Sequence, residues 1–135
     1  MTRAILFDLD GTLADTAPDL AAAINRVRRD HGLSALPLQQ LRPYVSSGAR
    51  GMIRAAFGLS PQDQGYEALA GAFLAYYAGA LCEHTRLFDG MAEVLERLER
   101  ADLAWGIVTN KQSRFTDPLV TALDLHRRAR CVISG

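Results

Sequence analysis

The chain has 135 residues, a formal net charge of +0, 49% apolar residues and 22% charged residues. That length suits one compact domain or a small core carrying an insertion, and the composition is that of an ordinary globular protein. No basic stripe speaks for nucleic acid, and no apolar run is long enough for a signal peptide or a bilayer span, so neither nucleic acid nor a membrane is an expected partner. Cys82 and Cys131 lie far apart without metal-ligand spacing. Both are expected as free thiols in a reducing cytoplasm, packed as small core hydrophobes.

Ala4-Ile5-Leu6-Phe7 opens the chain as a short strand, read here as buried on both faces. Asp8-Leu9-Asp10-Gly11-Thr12 follows, with a glycine that lets the chain turn. Asp15-Thr16-Ala17-Pro18-Asp19 then reads as a helix start, with a capping residue, an early proline and an acid near the positive end. Leu20, Ala23, Ile24 and Val27 recur at helical spacing, and Gly32 is the stop. A short helix is expected over 37–41, limited by Pro43, and another over about 47–57. A longer one beyond Pro61 has the stripe Leu69, Phe73, Tyr76, Tyr77, Ala80 and Leu81. Residues 16–84 thus read as an all-helical block. From Asp89-Gly90 the pattern alternates again. Met91, Val94, Leu95 and Leu98 mark a helix, and 104–109 a strand. Phe115, Leu119, Ala122 and Leu123 mark a helix that Pro118 kinks, and 131–134 form a third strand. The order predicts a parallel, Rossmann-like α/β core of three strands, from residues 1–15 and 85–135, with a helical insert over 16–84.

Parallel sheets place their sites at the carboxyl ends of strands. Asp8 and Asp10 end the first strand; Thr109 and Asn110 end the second. Alternation lets Asp8 and Asp10 point the same way, and two close carboxylates repel unless a cation or a proton intervenes. A hard cation with oxygen ligands relieves that repulsion and permits a carboxylate to attack a phosphate ester. The second acid can protonate the leaving alcohol and then activate water. A hydroxyl and backbone N–H groups can hold the phosphoryl oxygens.

Phe7-Asp8-Leu9-Asp10-Gly11-Thr12 resembles the first signature of the haloacid dehalogenase superfamily of phosphatases, and Ile107-Val108-Thr109-Asn110-Lys111 resembles the second. The helical insert is similar to that superfamily's type-1 cap, which closes over substrate. The resemblance implies Asp8 as nucleophile and Asp10 as acid/base, both associated with Mg2+, the backbone carbonyl of Asp10 included. It implies Thr109, Asn110 and Lys111 as phosphate-binding residues. The segment Asp15-Thr16-Ala17-Pro18-Asp19 and the Thr-Asn-Lys triplet are closest to the phosphoglycolate phosphatase branch. Arg50, in Ser46-Ser47-Gly48-Ala49-Arg50, falls where that branch carries a cap loop near substrate. The expected activity is Mg2+-dependent hydrolysis of a small phosphorylated metabolite through an aspartyl phosphate. An N-acetylmuramic acid 6-phosphate phosphatase and a phosphosugar mutase are the enzymatic alternatives.

The superfamily also uses a lysine before its fourth strand and an acidic pair after it. This chain ends where those would follow, so it reads as roughly the first three-fifths of a phosphatase, with little activity by itself. A non-enzymatic alternative is a fragment that binds phosphate or self-associates. In the superfamily's sheet the first strand is central, so here Ala4 to Phe7 would form an exposed apolar edge able to pair with a second chain.

Overall fold

A computed structural model describes residues 3–135. Packing divides the chain into two compact units, one taking in the chain up to Asp15 and from Arg86 to Gly135, the other Thr16–Thr85.

The first unit is built on a three-stranded parallel sheet of β1 (Ala4–Phe7), β4 (Ala104–Val108) and β5 (Val132–Ile133), in the order β1-β4-β5. Ala4 to Phe7 register with Ala104 to Ile107, and Ile107 and Val108 with Val132 and Ile133. Helices α5 (Met91–Arg100) and α6 (Ser113–Ala122) make the crossovers. Both step the same way along the sheet, so the right-handed rule puts them on one face. Trp105 and Ile107 are buried on that face, and Phe7 meets the Trp105 ring edge-on at 6.3 Å. At the amino end of β4, the Trp105 indole N–H and Arg128 Nε both donate to Glu99 Oε1, at 3.1 and 2.9 Å. The Arg128 contact, then the indole bond, holds the Glu99 carboxyl below its ordinary range.

The opposite face corrects the expectation for the first strand, which is not buried on both sides. Leu6 is 58% exposed, Val108 40% and Ile133 54%. The register puts these three side chains on one face. Among the described residues, no helix of this unit covers them. Cys131 is likewise exposed and Cys82 only half-buried, so neither thiol is the core hydrophobe expected. A second, antiparallel pair, β2 (Ala14–Asp15) with β3 (Arg86–Leu87), was not expected from the sequence. Two-residue strands carry too little periodicity to read.

The second unit is helical: α1 (Ala17–Asp30), α2 (Leu38–Leu41), a 3-10 turn (Arg42–Ser47), α3 (Gly48–Phe57) and α4 (Tyr66–Ala78). Its core takes Leu20, Ile24 and Val27 from α1, Met52 and Ile53 from α3, and Leu69, Phe73 and Tyr77 from α4. Helix α2 ends at Leu41, as expected, and the chain runs on as the 3-10 turn, where Pro43 sits in the opening positions and no N–H is needed. Two local details depart from the sequence reading. Helix α4 stops at Ala78, leaving Ala80 and Leu81 in the turns beyond it. Tyr76 leaves the buried stripe: its hydroxyl donates to Asp30, which raises the phenol pKa, and Arg26 lies 4.1 Å over its ring.

The start of α1 also differs from a simple cap. Thr16 occupies the N-cap position, but its side chain makes no capping bond. Asp19, only 3% exposed, instead accepts from the backbone N–H groups of His84 and Thr85 and from the Thr85 hydroxyl, the last at 2.7 Å. A buried carboxylate is tolerated because several donors replace its water. Among the described residues, no helix is long and apolar enough to cross a membrane.

Candidate active site

Beyond Phe7 the chain folds around one carbonyl. Leu9 O accepts from the N–H groups of Thr12, Leu13 and Ala14, at 3.3, 3.2 and 3.0 Å. Gly11, at φ +78°, turns the chain so that its N–H reaches Ala14 O at 3.0 Å. Leu9 and Leu13 are fully buried, which anchors the loop. The acids on either side of Leu9 therefore stand away from the core. Asp8 is exposed, and its Oδ1 accepts from Leu9 N at 2.8 Å. Asp10 is more enclosed, with a side chain 13% exposed.

Because β1 and β4 are parallel neighbours, the carboxyl end of β4 comes beside that of β1. Thr109, Asn110 and Lys111 emerge there. Thr109 is 7% exposed, and its N–H donates to Ile133 O at 2.9 Å, so the loop starts from a fixed point. Lys111 N–H donates to Thr109 Oγ1 at 3.1 Å. Lys111 Nζ forms a 2.9 Å ion pair with Asp10 Oδ1. Of the residues singled out from the sequence, Asp8, Asp10, Thr109, Asn110 and Lys111 thus stand at adjacent strand ends of one unit. Arg50 belongs to the helical unit, in the first turn of α3, with its side chain exposed.

Two contributors escaped the sequence reading. The hydroxyl of Thr116, fully buried in α6, donates to Lys111 O at 3.1 Å. Gly135 N–H donates to the same carbonyl at 3.0 Å. A Cβ at Gly135 would lie 2.4 Å from Asn110 O, so only glycine allows this approach. The available signal for Thr116 was a hydroxyl near the start of the helix that follows a site loop, where such groups bond backbone. Gly135 carried no signal, since a close approach between distant backbones leaves no trace in spacing.

The donor set is hard oxygen, which suits Mg2+. That ion keeps several waters and is commonly held by one or two carboxylates plus substrate phosphate. Asp8 and Asp10 meet that minimum. Among the described residues, no group of three or more His, Cys, Asp or Glu side chains could hold a metal.

Residues 5–135 match the family model of haloacid dehalogenase-like hydrolases. The chain is 44% identical over 131 residues to an N-acetylmuramic acid 6-phosphate phosphatase of Pseudomonas putida, covering 97% of this chain and 59% of that protein. It is 43% identical over 133 residues to a phosphoglycolate phosphatase of Xanthomonas campestris, covering 98% and 60%. A crystal structure of a predicted phosphoglycolate phosphatase from Haemophilus somnus superposes with a TM-score of 0.83 at 27% identity, covering 99% of this chain and 63% of that one. The chain therefore spans about three-fifths of the length of these relatives. With paired acids at one strand end, Thr-Asn-Lys at the next and a family match across nearly every residue, the chain belongs to the haloacid dehalogenase-like hydrolases.

Proposed function

We infer that this site performs Mg2+-dependent hydrolysis of a small phosphomonoester. The observation that carries the reading is the juxtaposition, across the β1–β4 pairing, of Asp8 and Asp10 with Thr109 and Lys111. Asp8, the more exposed acid, is the nucleophile: its carboxylate oxygen attacks phosphorus while the ester P–O bond breaks. Asp10 gives its proton to the departing alkoxide, then takes a proton from a water molecule. That water attacks the aspartyl phosphate, restoring the Asp8 carboxylate and releasing inorganic phosphate. Thr109 Oγ1 accepts from Lys111 N–H, so its own proton can serve a phosphoryl oxygen. Asn110 and Lys111 add an amide and a positive charge to the same loop. Asp8 and Asp10, with the Asp10 carbonyl, would hold Mg2+, which supplies charge neutralisation at the phosphoryl group.

Two carboxylates make a weak metal site, so the 135-residue chain is expected to turn over slowly. The relatives' activities toward phosphoglycolate and N-acetylmuramic acid 6-phosphate make these the first substrates to try. The reaction is assigned to the cytoplasm. The exposed Leu6 edge carries one further reading, self-association of this chain by strand pairing. Phosphate release from both substrates and from a hexose phosphate, with Mg2+ or with chelator, tests the function. Release should require Mg2+ and disappear in Asp8→Asn. Release by Asp8→Asn at the unmodified rate would overturn the assignment.

A further inference from the structure

Lys111 is the single lysine of the chain; the other fourteen of its 15 basic residues are arginines. Arginine and lysine differ physically. Guanidinium is a planar fork suited to surface and bidentate contacts, whereas ammonium is a compact point charge. The chain uses that point charge once, against Asp10 at 2.9 Å, with both side chains largely enclosed at 9% and 13% exposure.

The backbone that carries this lysine is fixed on both sides. Its N–H donates to Thr109 Oγ1 at 3.1 Å, and its carbonyl accepts from Thr116 Oγ1 and from Gly135 N–H, at 3.1 and 3.0 Å. The Gly135 contact exists because no Cβ blocks the approach to Asn110. A solvated lysine at a helix start needs none of this. Here three hydrogen bonds and one close backbone approach fix the root of a side chain whose tip meets an acid 101 residues earlier.

We propose that Lys111 is a tethered counter-ion of the acidic strand tip: it holds the Asp10 carboxylate in place and competes with the divalent ion for the negative charge of Asp8 and Asp10. This deepens the metal-assisted reading above and rests on it. It separates Lys111 from a lysine that serves the phosphoryl group alone. A fixed positive charge beside a divalent-ion site opposes binding of that ion, so its removal strengthens binding. The counter-ion thereby limits trapping of metal when no phosphate is present.

A single lysine makes the test clean. In protein labelled with 13C-lysine, one ε-methylene NMR signal reports Lys111. Without metal, that signal should move in Asp10→Asn; an unchanged signal overturns the pairing. In calorimetric titration with Mg2+, Lys111→Met should bind about three- to tenfold more tightly than the unmodified chain. Lys111→Arg, which keeps the charge, should stay close to unmodified. Equal or weaker Mg2+ binding by Lys111→Met, with binding in the unmodified chain and its loss in Asp8→Asn, overturns the counter-ion role and leaves the metal-site reading standing. No Mg2+ binding by any variant overturns the metal-site reading and this role with it. Unchanged Mg2+ affinity with weakened inorganic phosphate binding in Lys111→Met also overturns the proposal, by making the lysine a phosphate ligand only.

Discussion

Asp8 and Asp10 are two residues apart yet meet different surroundings. Asp8 is open to solvent and accepts only a local N–H among its described bonds, from Leu9; Asp10 is enclosed and paired with an ammonium. An open carboxylate suits attack on an incoming phosphorus, and a held one suits proton transfer at a fixed place. Asp10→Asn is therefore expected to slow phosphate release by about 10²–10⁴-fold without unfolding the chain, as read by steady-state assay alongside circular dichroism. A loss below tenfold would remove Asp10 from proton transfer. The place of the acids at a strand end was legible in the sequence because a short apolar strand followed by Asp-Leu-Asp-Gly-Thr has few structural uses. The partner of Lys111 was not, because which acid a lysine reaches across 101 residues is decided by strand order rather than by local spacing.

At the scale of elements, Asp19 shows how a helix-start signal can hide a tertiary role. The sequence offered an acid in the first turn of α1, a common complement to the helix dipole. The structure uses it instead to satisfy the backbone at 84–85, where the helical unit ends. Asp19→Ala would leave buried N–H groups without acceptors. The expected cost is about 3 kcal/mol, seen as a lower urea midpoint for the helical unit; a change under about 0.5 kcal/mol would contradict the role. Long amphipathic helices such as α1 and α3 were readable because a stripe over ten or more residues averages out exceptions. The end of α4 was not, because apolar residues continue past Ala78 in a chain that has stopped being helical. Pro43 was readable as a limit: it blocks an α-helix interior, so α2 ends at Leu41, yet it opens a 3-10 turn freely.

At the scale of the whole molecule, the three-stranded sheet keeps its helices on one face and leaves Leu6, Val108 and Ile133 on the other. Such a surface, next to an edge strand, favours pairing with another copy. Sedimentation velocity should show dimers or larger species growing with concentration, reduced by Leu6→Lys. A monomer at every concentration would exclude this association. The arrangement of strands was legible from the alternation of elements and their short connections. The open face was not, because an apolar run of four looks the same whether one side or both are covered. What unites these scales is the acidic strand tip, for which a divalent ion is proposed. Its most direct test is calorimetric titration of the chain with Mg2+, compared with Asp8→Asn. Weak, saturable binding that falls at least about tenfold in Asp8→Asn is the expected result; binding of equal strength in both, or none in the unmodified chain, would contradict it.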